Sequence, residues 1–312
     1  MCFFYYWFLL ENIWIKKMNF KVSVIIPTYG RPDNLKRAID SVIEQTYKNI
    51  EIIVIDDNGI NSKKGHETST LVRHYPHIIY IKLEKNSGGG MARNKGIERA
   101  SGDYITFLDD DDYYYPEKIQ KQLKFMIENS YDISLCDMEI ANPLSKKFKH
   151  RKKYSEANGF NLKDFLIAGV AFTPMIMVKK EVLLEVNGFL DTPRFQDHTL
   201  MLKMLTVTEN VGHLAEQLFV HCSDYTARIS NSPRSRKGFL IRHALEKKIV
   251  IDNKLCLPKL RFNQCAQISP YVKEKFGKYK YICFMLWSLK FSRSCHSVFL
   301  TGYRIMRLCL KK

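Results

Sequence analysis

Four consecutive aspartates, Asp109 to Asp112, follow directly on the apolar run Tyr104 to Leu108. Carboxylates ~4 Å apart repel by ~1 kcal/mol in water and ~4 kcal/mol at an effective dielectric near 20, so crowding them at the end of a buried strand asks for a compensating cation. A divalent metal on oxygen ligands is the natural candidate; the alternative is a solvated acidic turn. An EF-hand is excluded, because its sixth loop position, counted from Asp109, is Tyr114 where Gly is needed. A second acidic group, Asp56, Asp57, Asn58 and Gly59, ends another apolar run. A carboxylate there can accept hydrogen bonds from a base or ribose, or it can close an Asx-type turn. In the third group, Asn86 to Gly90 lead into Arg93. Its glycines let backbone approach a phosphate, and its arginine suits a diphosphate. Neither the dinucleotide fingerprint nor a P-loop fits: Arg93 stands where Gly is needed, and no Gly-Lys-Ser/Thr occurs.

These groups need elements to hold them. Val22 to Pro27 and Ile50 to Ile55 are continuous apolar runs, the pattern of strands buried on both faces, and Ile78 to Leu83 and Tyr104 to Leu108 read the same way. Between them, Leu35, Ala38, Ile39, Val42 and Ile43 recur at helical spacing behind Pro32, and a helix opens at the glycines and reaches Ala100. Pro116 to Asn129 is a further helix. The alternation predicts an α/β fold with a mostly parallel, doubly wound sheet and helices on both faces. Ligands of such sheets sit outside the carboxyl ends of the strands, where Thr28 to Arg31, Asp56 to Asn58 and Asp109 to Asp112 all fall. Farther on, Ile133 to Met138, Pro174 to Val178 and Val211 to His221 read as strands, with helices at Leu162 to Ala168 and Phe195 to Leu205.

Four ordered segments resemble the inverting family 2 glycosyltransferases, which carry a GT-A domain for nucleotide-diphospho-sugars. They are Val22-Ser-Val-Ile-Ile-Pro-Thr-Tyr-Gly-Arg31, Ile53-Val-Ile-Asp-Asp-Asn58, Asn86-x-Gly88 to Ala92-Arg-Asn-x-Gly-Ile97, and Gly102-Asp-Tyr-Ile-Thr-Phe-Leu-Asp-Asp-Asp-Asp112. The resemblance implies that Asp57 meets the nucleotide base, that the Thr28 and Tyr29 backbone lines the base pocket, and that Arg93 and Asp110 belong to the nucleotide-sugar site. It makes Asp109 and Asp111 the family's Asp-x-Asp, with Asp111 the direct ligand of Mg²⁺ or Mn²⁺. The family's base opens a helix after a Gly-Phe-Asp-like turn; here Gly188-Phe-Leu-Asp191 precedes Arg194-Phe-Gln-Asp197, so Asp197 is the expected catalytic base. Gln196 stands where Glu is commoner, Gly30 where Asn is commoner, and Asp110 makes the acidic run unbroken. His198, His213 and His221 are weighed as late metal ligands, with His221 the candidate, although an isolated His is more often structural.

The implied reaction is one displacement at the anomeric carbon, with inversion. The expected donor is a nucleotide-diphospho-sugar, a UDP-sugar first, and the expected acceptor a saccharide or lipid-linked saccharide in cell-surface polysaccharide or lipooligosaccharide assembly.

The chain has 312 residues, 46% of them hydrophobic, and a formal charge of +17. That excludes a disordered or fibrous chain. The whole net charge lies from Arg228 onward, where 20 Lys and Arg face Glu246, Asp252 and Glu274, so residues 1–227 are neutral. The expected organisation is a leader at 1–17, with Met18 before the first strand, then a GT-A domain at 18–230 and a basic helical tail at 231–312. The donor half of that domain covers about 20–130 and the acceptor half about 131–230. In the tail, Arg304, Arg307 and Lys311 fall on one helical face, which suits an anionic leaflet. The eight cysteines show no Cys-x-x-Cys and read as reduced thiols. No apolar run approaches the ~20 residues of a spanning helix. The expected location is cytoplasmic and peripheral at the inner face of the membrane. A nucleotidyltransferase is the alternative, but it would carry a basic Gly-rich loop after the first strand, where Pro27-Thr-Tyr-Gly-Arg31 stands. A nucleic-acid binder using the tail leaves the aspartates unexplained, so no nucleic-acid partner is expected.

Overall fold

The computed structural model describes residues 19–142, 147–149, 161–222, 234–291 and 301. The leader at 1–17 and the Arg304, Arg307 and Lys311 face lie outside them. Contacts divide the chain into two units, one of Met1–Ala157, Ala171–Asp191 and Gln196–Arg228, the other of Asn158–Val170, Thr192–Phe195 and Ile229–Lys312.

The first unit begins β1 (Val22–Thr28), α1 (Pro32–Ile43), β2 (Ile50–Asp56), α2 (Lys63–Val72), β3 (Ile79–Lys82), α3 (Gly89–Arg99) and β4 (Tyr104–Phe107). It continues with β5 (Tyr113–Tyr114), α4 (Lys118–Glu128), β6 (Ile133–Asn142) and β7 (Lys147–Lys149). After α5 (Leu162–Ala168), which belongs to the second unit, come β8 (Ile176–Lys179), α6 (Lys180–Glu185), α7 (Gln196–Met204) and β9 (Val211–Cys222). The strand order is β3-β2-β1-β4-β8-β6-β9-β5, with β7 beside β6.

The first four strands are parallel, as their apolar runs imply, and β1 and β4 are buried along their whole length. Their register sets Thr28 beside Asp56 and Asp56 beside Lys82, which brings the polar strand ends to one edge. Helix α3 crosses close to β1: a Cβ at Gly96 would lie 2.4 Å from Ile25 Cγ2, so glycine is required there. Past β4 the sheet changes character. Strand β8 pairs antiparallel with β4 and β6, while β6 and β9 form a parallel ladder with a bulge at Asp137. The two-residue β5, too short to show in the sequence pattern, pairs with Phe219 and Val220 of β9 and so carries the acidic run toward the end of that strand.

The second unit contains α5, the Thr192–Phe195 segment, α8 (Arg234–Asp252) and α9 (Pro258–Ser288). Asn161 caps α5 by accepting from the Asp164 N–H at 2.9 Å, and Asn263 donates to the Ile167 carbonyl at 3.0 Å. The Phe195 ring packs 4.8 Å from Phe239 and 4.4 Å from the Arg242 guanidinium.

Candidate active site

The four aspartates have four different environments. Asp110 is buried and accepts from Thr28 Oγ1 at 2.9 Å and the Tyr29 N–H at 3.2 Å, with Arg31 Nη2 2.9 Å away. It fastens the end of β1 to the segment after β4. Burial pushes its carboxyl up to about 7, against the pull of Arg31. Asp109 is ion-paired with Arg93 and lies 3.3 Å from Thr173 Oγ1. Asp111 is ion-paired with Arg31, and burial and Asp109 raise its carboxyl. Asp112 is fully buried and accepts from the Cys222 N–H at 2.9 Å. His221 Nδ1 stands 3.1 Å from both Asp112 oxygens. Burial raises Asp112 to about 6 while His221 pulls it down; burial lowers the imidazole, but Asp112 outweighs it and the net shift of His221 is upward.

Carboxylate oxygens of Asp109, Asp111 and Asp112 lie within 4.8 Å of one another. That donor set is hard, all-oxygen and partly buried, so the residues fit Mg²⁺ or Mn²⁺. Asp112, which reads from the sequence as a neighbour only, joins the group because β5 delivers it to the end of β9. His221 reaches this cluster through Asp112. His213 instead pairs with Asp137 at 2.9 Å, and the His198 N–H donates to Asp197.

Asp57 faces the glycine turn. Its Oδ1 accepts from the Ser87 N–H at 2.6 Å and Ser87 Oγ at 3.0 Å, and its Oδ2 from the Gly88 N–H at 2.8 Å. Any base contact therefore uses the remaining lone pairs of an already anchored carboxylate. Asp56 supplies the Asx-type turn, accepting from the Asn58 N–H at 2.9 Å and from the Tyr80 hydroxyl at 2.5 Å. The Tyr29 ring is 58% exposed, leaving a face open for stacking.

Arg93, on α3, forks between Gln196 Oε1 at 2.9 Å and Asp109. Its buried Nε has no hydrogen-bond partner among the described residues. Asp197 sits in the first turn of α7 and accepts from the His198 N–H at 2.8 Å. Burial raises its carboxyl, and the charges of both Asp109 and Arg93 act on it. The preceding Phe195 takes φ +64°, an uncommon conformation for a bulky side chain and one that clusters at functional sites. Thr28, Tyr29, Arg93, Asp109, Asp110, Asp111 and Asp197 thus gather at one edge of the sheet, with Asp57 on the glycine turn beside it.

Sequence reasoning does not give Arg31 or Arg37 a role. Arg31 bridges Asp110 and Asp111, and Arg37 donates to the Asp111 carbonyl at 2.5 Å. The signal was present, since an uncompensated run of four carboxylates demands cations from somewhere.

The sequence profile described as Glycosyl transferase family 2 matches residues 23–186. A glycosyltransferase of Methanocaldococcus jannaschii is 34% identical over 195 residues, 59% of this chain and 64% of that protein. A Bacillus subtilis glycosyltransferase assigned to teichuronic acid biosynthesis is 39% identical over 135 residues, 40% of this chain and 51% of its own length. Among solved structures, TarS of S. aureus in complex with UDP-GlcNAc superposes with a TM-score of 0.64 at 16% identity, covering 87% of this chain and 81% of TarS 1–349. A Pyrobaculum calidifontis mannosyltransferase in complex with GDP-Man and Mn²⁺ gives 0.60 at 14% identity, covering 99% and 88%. No helix among the described residues is long and apolar enough to cross a membrane. The match over half the chain and the shared architecture lead to one conclusion: the chain belongs to glycosyltransferase family 2 and has the GT-A fold.

Proposed function

We propose that this enzyme transfers a sugar, with inversion, from a nucleotide-diphospho-sugar to a hydroxyl of a saccharide or lipid-linked saccharide in cell-surface polysaccharide assembly. The observation that carries the reading is the Arg93 fork, which ties Asp109 at the tip of β4 to Gln196, the residue before Asp197. On this reading Arg93 is the cation that meets the diphosphate, and its fork supports a site shared by the acidic cluster and the base.

Asp197 takes the proton of the acceptor hydroxyl as its oxygen attacks the anomeric carbon. The bond from that carbon to the diphosphate oxygen breaks, and the electron pair leaves with the nucleoside diphosphate. A positioned base of this kind contributes ~10²–10⁴ in rate. With no protein nucleophile, one displacement inverts the centre. Burial raises the Asp197 carboxyl, the direction that favours taking a proton. The Arg93 guanidinium stabilises charge growing on the leaving diphosphate. The Tyr29 ring and Asp57 receive the base. Asp109, Asp111 and Asp112 would hold Mg²⁺ or Mn²⁺, which when bound neutralises diphosphate charge.

The first donor class to test is UDP-sugars, as in the TarS complex, with GDP-sugars second, as in the mannosyltransferase complex. The acceptor class follows the teichuronic acid relative. The basic C-terminal region suits a cytoplasmic enzyme held at an anionic leaflet. The test is a panel of nucleotide sugars assayed with Asp197→Asn. Donor binding should persist while transfer drops by at least ~10²; unchanged transfer would remove Asp197 from the mechanism.

A further inference from the structure

Helix α9 is not one rod. At Gly277 the backbone takes φ 81° and ψ 174°, a conformation glycine adopts at little cost and one that interrupts the helix. Beyond the break the chain returns along itself. Phe291 lies beneath the Arg261 guanidinium, 5.8 Å from its ring centroid, and the Lys290 charge acts on the Cys265 thiol. Positions roughly equidistant on either side of Gly277 are therefore neighbours, and α9 is a helical hairpin with its tip at Phe276–Gly277–Lys278.

The returning arm buries Tyr281, Met285 and Ser288, spaced as one helical stripe. Its outward side and the tip expose Phe276, Tyr279, Leu286 and Trp287, at 47%, 79%, 53% and 48%. These are large apolar groups left in water within a short stretch. From Lys273 to Lys290 the chain also carries five lysines against one acid, Glu274. The charges share the apolar patch: Lys275 and Lys280 lie 5.4 and 5.3 Å from the Phe276 ring centroid, and Lys290 lies 4.1 Å from that of Trp287.

A nucleic-acid surface would use the lysines but gives exposed Leu and Trp side chains little to do. The boundary of a bilayer accommodates both, because aromatic rings settle at headgroup depth while ammonium groups meet lipid phosphates. We propose that the tip and outer stripe of the α9 hairpin form an interfacial anchor for a bilayer containing anionic phospholipid. Phe276, Tyr279, Leu286 and Trp287 enter the headgroup layer, and Lys273, Lys275, Lys278 and Lys280 supply the charge. This sharpens the reading that the basic C-terminal region meets an anionic leaflet, and rests on it, by moving the contact from the Arg304, Arg307 and Lys311 face to the hairpin.

The test is cosedimentation of the full chain with phosphatidylcholine vesicles, with and without about one-third phosphatidylglycerol, at low and high salt. The wild-type chain should prefer the anionic vesicles at least about tenfold, and salt should weaken that preference. Each lysine near such a surface contributes about fivefold, so replacing Lys273, Lys275, Lys278 and Lys280 by Gln should lower partitioning by nearly three orders of magnitude, roughly 600-fold. Phe276→Ser with Tyr279→Ser should lower it about tenfold or more at an unchanged circular dichroism spectrum, with Tyr279→Ser alone as the milder check. Wild-type partitioning in both tip variants would overturn the anchor. If binding is lost only on neutralising Arg304, Arg307 and Lys311, the anchor fails while the leaflet reading stands. If the wild type ignores anionic vesicles, both fall. Binding to duplex DNA that the same variants abolish, without vesicle binding, would identify a nucleic-acid surface instead.

Discussion

Arg93 Nη1 donates to Gln196 Oε1 across 2.9 Å, joining helix α3 to the residue that precedes the proposed base. The other arm of the same guanidinium is ion-paired with Asp109. Gln196 is thus a neutral partner beside an arginine whose charge is already engaged, and replacing it with a carboxylate changes the field at Asp197. Gln196→Glu should keep the Arg93 contact but raise the Asp197 carboxyl further, because like charges oppose ionisation. The expected outcome is that the acid limb of the kcat profile moves to higher pH. Gln196→Ala should lower kcat without moving that limb, and a pH–rate series on both variants checks this.

Asp112 is both a candidate ligand and an anchor for β9. Asp112→Ala leaves the buried Cys222 N–H without its acceptor, which should cost about 1–3 kcal/mol in urea unfolding. The wild type should show a Mn²⁺-dependent rise in melting temperature, and the same variant should lose it. A full Mn²⁺ response would remove Asp112 from the ligand set.

Glu51 gives a pH dependence far from the aspartates. Burial alone would raise its carboxyl, but hydrogen bonds from Ser23, Ser101 and Lys21 outweigh it and hold the group at about 2. A depressed folded value means that the unfolded chain takes the proton first. The stabilisation is therefore complete above the unfolded value near 4.5 and is lost as pH falls from there toward 2. Glu51→Gln should be less stable than wild type at pH 7, with the difference shrinking across that acid window. Urea midpoints at three pH values measure it.

At Lys118 burial disfavours the charged form instead, although stability again rises with pH. The side chain is fully buried, its Nζ donates to Thr106 Oγ1 at 2.5 Å and lies 4.2 Å from the Tyr114 ring centroid, and burial pushes its ammonium down to about 7. Between the folded value of about 7 and the unfolded value of 10.5 the unfolded chain holds more protons, so stability contributed by this group rises with pH across that window. Lys118→Met should stabilise the protein at pH 7 by on the order of 1 kcal/mol and flatten the rise above it. Thermal unfolding at pH 7 and pH 9 separates the two curves.

The parallel half of the sheet was legible because strands buried on both faces must be apolar throughout, as Val22 to Pro27 and Ile50 to Ile55 are. The positions of Thr28, Asp56 and Asp109 followed, since parallel register sends strand ends to one edge. What the pattern could not give was pairing at a distance. Strand β5 is two residues long, so no periodicity announces it, yet its contact with Phe219 and Val220 is what delivers Asp112 to His221 and the Cys222 N–H. The partners of the carboxylates were illegible for a related reason: Arg31 and Arg37 reach Asp111 across about eighty and seventy residues, a closeness only the folded chain creates. The Gly277 reversal was hidden because one glycine inside a long helical pattern looks like a tolerated weak point.

The most direct test of the central claim is calorimetric titration of a UDP-sugar into the wild-type chain and into Asp111→Asn, each with Mn²⁺ and then with a chelator. Donor binding should appear in the wild type with Mn²⁺, vanish on chelation and be lost in the variant. Equal affinity in all four titrations would show that the aspartates after β4 do not hold the cation that binds the donor.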